Sequence, residues 1–311
     1  MSPELRKRLT IGPLMGMLAI GAIVLDFHTD RHFGLLALLL VATGFSCREL
    51  QRLARAVVGP VQIMPTVVIS YLLLIAAYLR SDPAMVGVLD TRMPYLNATI
   101  QDMPIESVLL GLGMLWTILI QMKRRGPEQF FTNVGLTVFG MIYIGLTTNL
   151  LFSLGTYGAP ASYYGSDEPY ASRGNQLILM YIASCKLGDS TAFFGGRAFG
   201  RHKMCPSISP GKSWEGFAFS FIGAIGGAYL FAWLLGLICT HPPFNSWWQP
   251  FVWGMIIGPV GVVGDLAESC MKRQAVQKDS GSSIPGFGGW LDVFDAIILG
   301  APVAYVLALL L

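Results

Sequence analysis

Between Gly264 and Asp295 the chain reads GDLAESCMKRQAVQKDSGSSIPGFGGWLDVFD. This run holds five carboxylates (Asp265, Glu268, Asp279, Asp292, Asp295) and three cations (Lys272, Arg273, Lys278). Asp265, Glu268, Ser269 and Lys272 fall at i, i+3, i+4 and i+7, so one helix face carries two acids, a hydroxyl and a base. Asp292 and Asp295, three apart, share a face of the next helix. Between them SGSSIPGFGG is too rich in Gly, Ser and Pro for regular structure and reads as a tight loop. Clustered carboxylate oxygens suit a hard cation such as Mg²⁺. Lys and Arg beside them suit phosphate.

A second polar cluster, KLGDSTAFFGGRAFGRHKMCPSISPGKSWEG, spans Lys186 to Gly216. Lys186 and Asp189 are three apart and placed to pair. The run GGRAFGRHK combines Gly with basic residues, where backbone can approach a polyphosphate closely. Ser209, Lys212, Ser213 and Glu215 follow. Gly211-Lys212-Ser213 invites a P-loop reading, but that motif needs Gly where this chain has Pro206, so it is rejected.

The elements that must position these groups are membrane helices. The chain has 311 residues, of which 53% are hydrophobic and 13% charged. Soluble domains carry about 25% charged residues, so this is an integral membrane protein. Apolar runs at about 9–25, 33–47, 57–79, 105–122, 133–154, 175–196, 215–239, 249–271 and 290–311 predict an all-α polytopic protein of about nine spans. Sixteen of the 21 basic residues fall in alternate connections, which puts the N-terminus and both polar clusters on the cytoplasmic side and the C-terminus outside. The connections at 80–104 and 155–174, with Tyr163 in the second, become outer loops. Residues 1–170 read as a scaffold of helices offering a lipid groove and dimer contacts, and residues 171–311 as the catalytic region. The five cysteines have no metal spacing, and nothing points to nucleic acid as a partner.

The pattern S-x-x-K-R-x4-K-D-S-G-x3-P-G-x-G-G-x-L-D-x-x-D, supplied here by Ser269 through Asp295, resembles the signature of phosphatidate cytidylyltransferases, the CDP-diacylglycerol synthases. D-x-x-A-F-x-x-G-R-x-F-G-R from Asp189 and S-P-x-K-S-x-E-G from Ser209 resemble the upstream block of the same family. The chain departs at Phe287, where the family commonly has His, and at Val293, where it commonly has Arg. The resemblance implies transfer of the cytidylyl group of CTP to phosphatidate in phospholipid biosynthesis, at a bacterial-type inner membrane. It implies Mg²⁺ as cofactor, with a second cation and a homodimer left open. On this reading Asp265, Asp292 and Asp295 are the metal ligands, and Asp265, Lys272, Asp279 and Asp292 the catalytic set. Asp189, Ser209, Lys212, Glu215, Arg273 and Lys278 bind substrate. The alternatives are a polytopic transporter and a CTP-dependent transferase acting on a polyprenyl or ether lipid. A transporter would spread its carboxylates at mid-depth, whereas these sit at helix ends beside basic connections. The D-G-x2-A-R-x8-G-x3-D-x3-D pattern of CDP-alcohol phosphotransferases is absent.

Overall fold

The computed structural model describes residues 3–29, 32–59, 61–81, 83–124, 126–157, 172–239 and 242–311. Its helices run in the order α1 (Pro3–Thr29), α2 (Phe33–Val58), α3 (Ile63–Ser81), α4 (Pro83–Arg92), α5 (Pro94–Asp102), α6 (Ile105–Arg124), α7 (Phe130–Gly140) and α8 (Thr147–Gly155). A π-helical turn, Met141–Leu146, joins α7 to α8 without a break. After them come α9 (Ser172–Phe199), a hairpin of β1 (Lys203–Cys205) and β2 (Ser209–Ser213), α10 (Trp214–Ile238), α11 (Trp248–Gln274) and α12 (Trp290–Leu310). The protein is therefore an all-α polytopic membrane protein carrying, among the described residues, one small two-stranded hairpin. Helices dominate because lipid offers no partner for an open backbone group, so each segment must satisfy its own.

Eight helical segments among the described residues are long and apolar enough to cross a membrane, with α7, the π turn and α8 counting as one. The apolar part of α1, Gly12–Asp26, is shorter, so the ninth expected span rests on that helix. Tyr163, with most of its expected outer loop, lies outside the described residues.

Several elements differ from their sequence-based bounds. The second span continues past residue 47 to Val58, because its last turns are amphipathic: Glu49, Leu50 and Leu53 are buried while Arg48, Arg52 and Arg55 are exposed. The expected outer loop at 80–104 contains two short helices, and Arg80 bridges to Glu106 across it at 2.9 Å. The span expected to end at 196 continues to Phe199, so the whole Gly-rich GGRAF run belongs to the end of α9. A side chain at Gly195 would collide with the Phe219 ring, and one at Gly216 would come 2.8 Å from the Ala192 carbonyl. Glycine there lets α9 and α10 approach, and helical geometry survives because neighbouring packing outweighs propensity.

The largest apolar core joins α2, α3, α8, α9, α11 and α12 through residues such as Leu39, Leu74, Phe152, Tyr181, Trp253 and Ile297. A second, around Leu50, Leu53, Ile144, Leu291 and Ile298, lies next to the polar loop before α12. Helices of the first half thus pack directly on α12.

Candidate active site

The C-terminal half of α11, the loop 275–289 and the first turns of α12 meet the β1–β2 hairpin at one end of the bundle. The side-chain geometry there begins with the helix faces. Asp265, Glu268 and Asp295 each turn a carboxylate oxygen inward, and these oxygens lie within 4.8 Å of one another. Glu268 has no exposed surface. Lys272 sits against one of its oxygens, yet neither oxygen accepts a well-formed hydrogen bond among the described residues. A buried carboxylate with spare acceptor capacity, facing two more acids, suits a hard cation.

Two lysines flank the trio. Lys212, from β2, places its ammonium 2.9 Å from Asp265 Oδ2 and 3.0 Å from the Val262 carbonyl. Lys272, with only 14% of its side chain exposed, donates to Asp292 Oδ1 at 2.7 Å as well as facing Glu268. Ser269 hydrogen-bonds back to Asp265 Oδ1 at 3.3 Å. The i, i+3, i+4, i+7 set of α11 therefore works as one surface.

Asp292, expected among the metal ligands, stands outside the trio. Its Oδ2 accepts from the Ser280 N–H (2.9 Å), the Ser280 hydroxyl (2.9 Å) and the Gly289 N–H (2.7 Å). Gly289 is the N-cap of α12 and Asp292 its third helical residue, so the carboxylate reaches back as in a capping box. Glu268 stands in the trio instead. The reason is height along α12: both acids lie on one face, but Asp292, in the first turn, meets Lys272 and the loop's N–H groups, while Asp295, one turn on, lies level with Asp265 and Glu268.

Beside Asp265 opens a cavity of about 590 Å³. Asp189, Gly196, Arg197, Lys203, Ser209 and Lys212 are among its lining residues, with Phe193 and Phe217 supplying an apolar wall. Asp189 lies 3.9 Å from Lys186, whose ammonium also donates to the Val293 carbonyl at 2.9 Å. The position lacking the family's usual Arg is thus approached through its backbone by Lys186. Glu215 does not line the cavity: it accepts from the His202 backbone N–H and contacts its ring nitrogen at 2.7 Å, fixing the start of the hairpin. Arg273 Nε donates to the Ile208 carbonyl at 3.1 Å, tying α11 to the hairpin turn. Lys278 and Asp279 are exposed at the loop's rim.

The loop's conformation follows from its residues. Ile284-Pro285-Gly286-Phe287 is a turn closed by the Phe287 N–H to the Ile284 carbonyl (3.1 Å), with Pro at the second position and Gly286 at φ +88° in the third. That is the type II arrangement, which a side chain at the third position would strain. Gly288, at φ +99°, returns the chain through an antiparallel bridge to Ile284. The Phe287 ring lies against Gly12 of α1.

One residue that the sequence reading passed over organises this loop. Glu49, near the middle of α2, is 4% exposed and accepts from the Ser283 hydroxyl (2.8 Å) and from the N–H groups of Trp290 (3.1 Å) and Leu291 (2.8 Å). The Ser280 hydroxyl lies between it and Asp292, 3.1 Å from Glu49. The only trace in the sequence is a single acid amid arginines at the end of an apolar run, more than 230 residues from its partners.

The bundle is that of a polytopic membrane protein with an acidic, lysine-flanked cluster beside a cavity at one end. The model of the cytidylyltransferase family matches residues 6–311, and the chain belongs to that family. It is 31% identical over 205 residues to a protein named phosphatidate cytidylyltransferase from Chlamydia trachomatis, covering 63% of this chain and 61% of that one. A protein of the same name from Brucella abortus is 37% identical over 155 residues, covering 50% and 54%. One from Thermotoga maritima is 27% identical over 216 residues, covering 68% and 73%. The matched region thus spans between half and two thirds of the first two relatives.

Proposed function

We propose that this protein transfers the cytidylyl group of CTP to phosphatidate, giving CDP-diacylglycerol and pyrophosphate. The observation that carries the reading is the meeting of Asp265, Glu268 and Asp295 with Lys212 and Lys272 beside a Gly-lined basic cavity. Family membership and the names of the relatives support the choice of substrates. Residues 171–311 carry the chemistry and residues 1–170 the scaffold.

The phosphate of phosphatidate is a monoester whose second pKa lies near about 6, by analogy with phosphoserine. Its oxygen is largely ionised at neutral pH and is already a nucleophile. It attacks the α-phosphorus of CTP; the bond to the bridging oxygen breaks and pyrophosphate leaves with that electron pair. No side-chain base is needed. What the protein must supply is alignment of two polyanions and neutralisation of charge on the leaving group. Lys212 reaches the cavity from β2, and Arg197 and Lys203 line the same space to bind phosphate oxygens. Lys272 holds Glu268 and Asp292 in place. Asp265, Glu268 and Asp295 would hold Mg²⁺. That ion, when bound, neutralises charge on phosphate oxygens.

The decisive assay incubates labelled CTP with vesicles containing phosphatidate, a polyprenyl phosphate or an ether-linked phosphatidate. Label in a chloroform-soluble product that depends on phosphatidate is expected; uptake of CTP without lipid product would replace the reading with transport. Phe287→His should change the rate by less than about threefold, since no base is called for. An inactive parent rescued by that substitution would overturn the no-base mechanism.

The same reading puts the active site at the cytoplasmic face of an inner membrane. With single-cysteine variants, Cys205 should react with an impermeant thiol reagent only after permeabilisation, and Asp90→Cys in intact cells. The reverse pattern would invert the topology.

A further inference from the structure

We infer that Glu49 of α2 is a positioning residue for the active site, acting through the loop 280–289 and the first turn of α12. The inference rests on the transferase reading for its activity measurements alone. The first N–H groups of a helix have no partner within it. At α12 those of Trp290 and Leu291 end on Glu49, a carboxylate from another helix. Ser283 holds the same carboxylate from the loop, and the Ser280 hydroxyl bridges it to Asp292. Asp292 in turn carries Lys272, which faces Glu268 of the trio. A continuous set of contacts thus runs from α2 to the acids, and Asp295 rides on the same first turns of α12.

A second observation is independent of these bonds. A side chain at Gly281 would come 2.4 Å from Glu49 Oε1, and one at Gly289 would come 2.3 Å from Oε2. Neither glycine needs a positive φ. Two glycines of the signature are therefore small to admit this carboxylate. A buried acid so enclosed also matches the positive end of the α12 dipole.

An amide cannot replace it. Gln at this position has one oxygen and one NH₂ group, so either the Trp290 or the Leu291 N–H would face a donor. Glu49→Gln is expected to insert and fold, and to lose roughly 10- to 100-fold in kcat, as do changes to residues that hold ligands in place. KM for CTP and phosphatidate should move by less than about threefold. Deuterium exchange should rise in 276–292 and stay unchanged in 172–199. Leu39→Ala, a buried packing change on the same helix, should lower stability with turnover per folded molecule preserved. Should Glu49→Gln fail to insert, Gly281→Ala displaces the carboxylate and carries the same expectations.

Parent-like turnover per folded molecule, or unchanged exchange in 276–292, would overturn the inference. A parent without transferase activity would instead overturn the reaction reading, and the exchange measurement would still decide whether Glu49 anchors the loop.

Discussion

Asp265→Asn is expected to leave a folded, membrane-inserted protein whose transferase rate is lower by roughly a thousandfold or more, equivalent to about 4 kcal/mol of lost transition-state stabilisation. The substitution keeps the size of the side chain and removes its charge. Asp265 is where three roles meet: it belongs to the acidic trio, faces the cavity, and pairs with Lys212 at 2.9 Å. An amide weakens the hold on a hard cation and leaves the Lys212 ammonium without its anionic partner. Because the side chain is part-exposed, the fold should tolerate the change. The measurement is transfer from labelled CTP across a Mg²⁺ titration, with thermal stability in detergent as control. Near-parent activity at any Mg²⁺ concentration would remove Asp265 from the site.

Lys272→Met should damage both activity and fold. The side chain is 14% exposed and stands between Glu268, with none of its side chain exposed, and Asp292, 9% exposed. Methionine keeps the length and apolar stem but leaves two buried carboxylates without a cation. Breaking a buried pair from one side costs about 3–5 kcal/mol. Turnover should fall below detection, since the carboxylates no longer have a fixed spacing. The double variant Lys272→Met/Glu268→Gln removes one uncompensated charge and should recover part of the lost stability, with no recovery of activity. If Lys272→Met alone melts with the parent, the ammonium is not compensating those acids. If the double variant is active, neither residue belongs to the chemistry.

The periodicity of α11 was enough to put Asp265, Glu268, Ser269 and Lys272 on one face, because 3.6 residues per turn is a local property. That SGSSIPGFGG forms a tight loop was equally legible, since Gly, Ser and Pro disfavour regular structure; the particular turn at Ile284–Phe287 came from the structure. Apolar run lengths identified the membrane helices for the same kind of reason: bilayer thickness acts on each segment separately. The two signature blocks carried the family.

What the sequence alone left open were choices between helices. Which carboxylates converge depends on how α12 is set against α11, and that is decided by packing at Gly264 and Ala296: a side chain at Gly264 would come 2.8 Å from the Ala296 Cα. That packing brings Asp295 level with Glu268 and leaves Asp292, one turn nearer the loop on the same face, to Lys272 and the loop's N–H groups. The Gly-rich stretch at 195–200 straddles the expected end of its span at 196, and its helical continuation to Phe199 makes sense only with α10 beside it, where close packing gives those glycines a use. Glu49 was out of reach for the same reason. An acid just past the end of an apolar run is ambiguous by itself, and its meaning comes from the helix-start N–H groups it accepts from, more than 230 residues away. Local rules determined the elements and named the chemical groups. Burial, which requires every polar group brought inside to find a partner, decided which of those groups face one another.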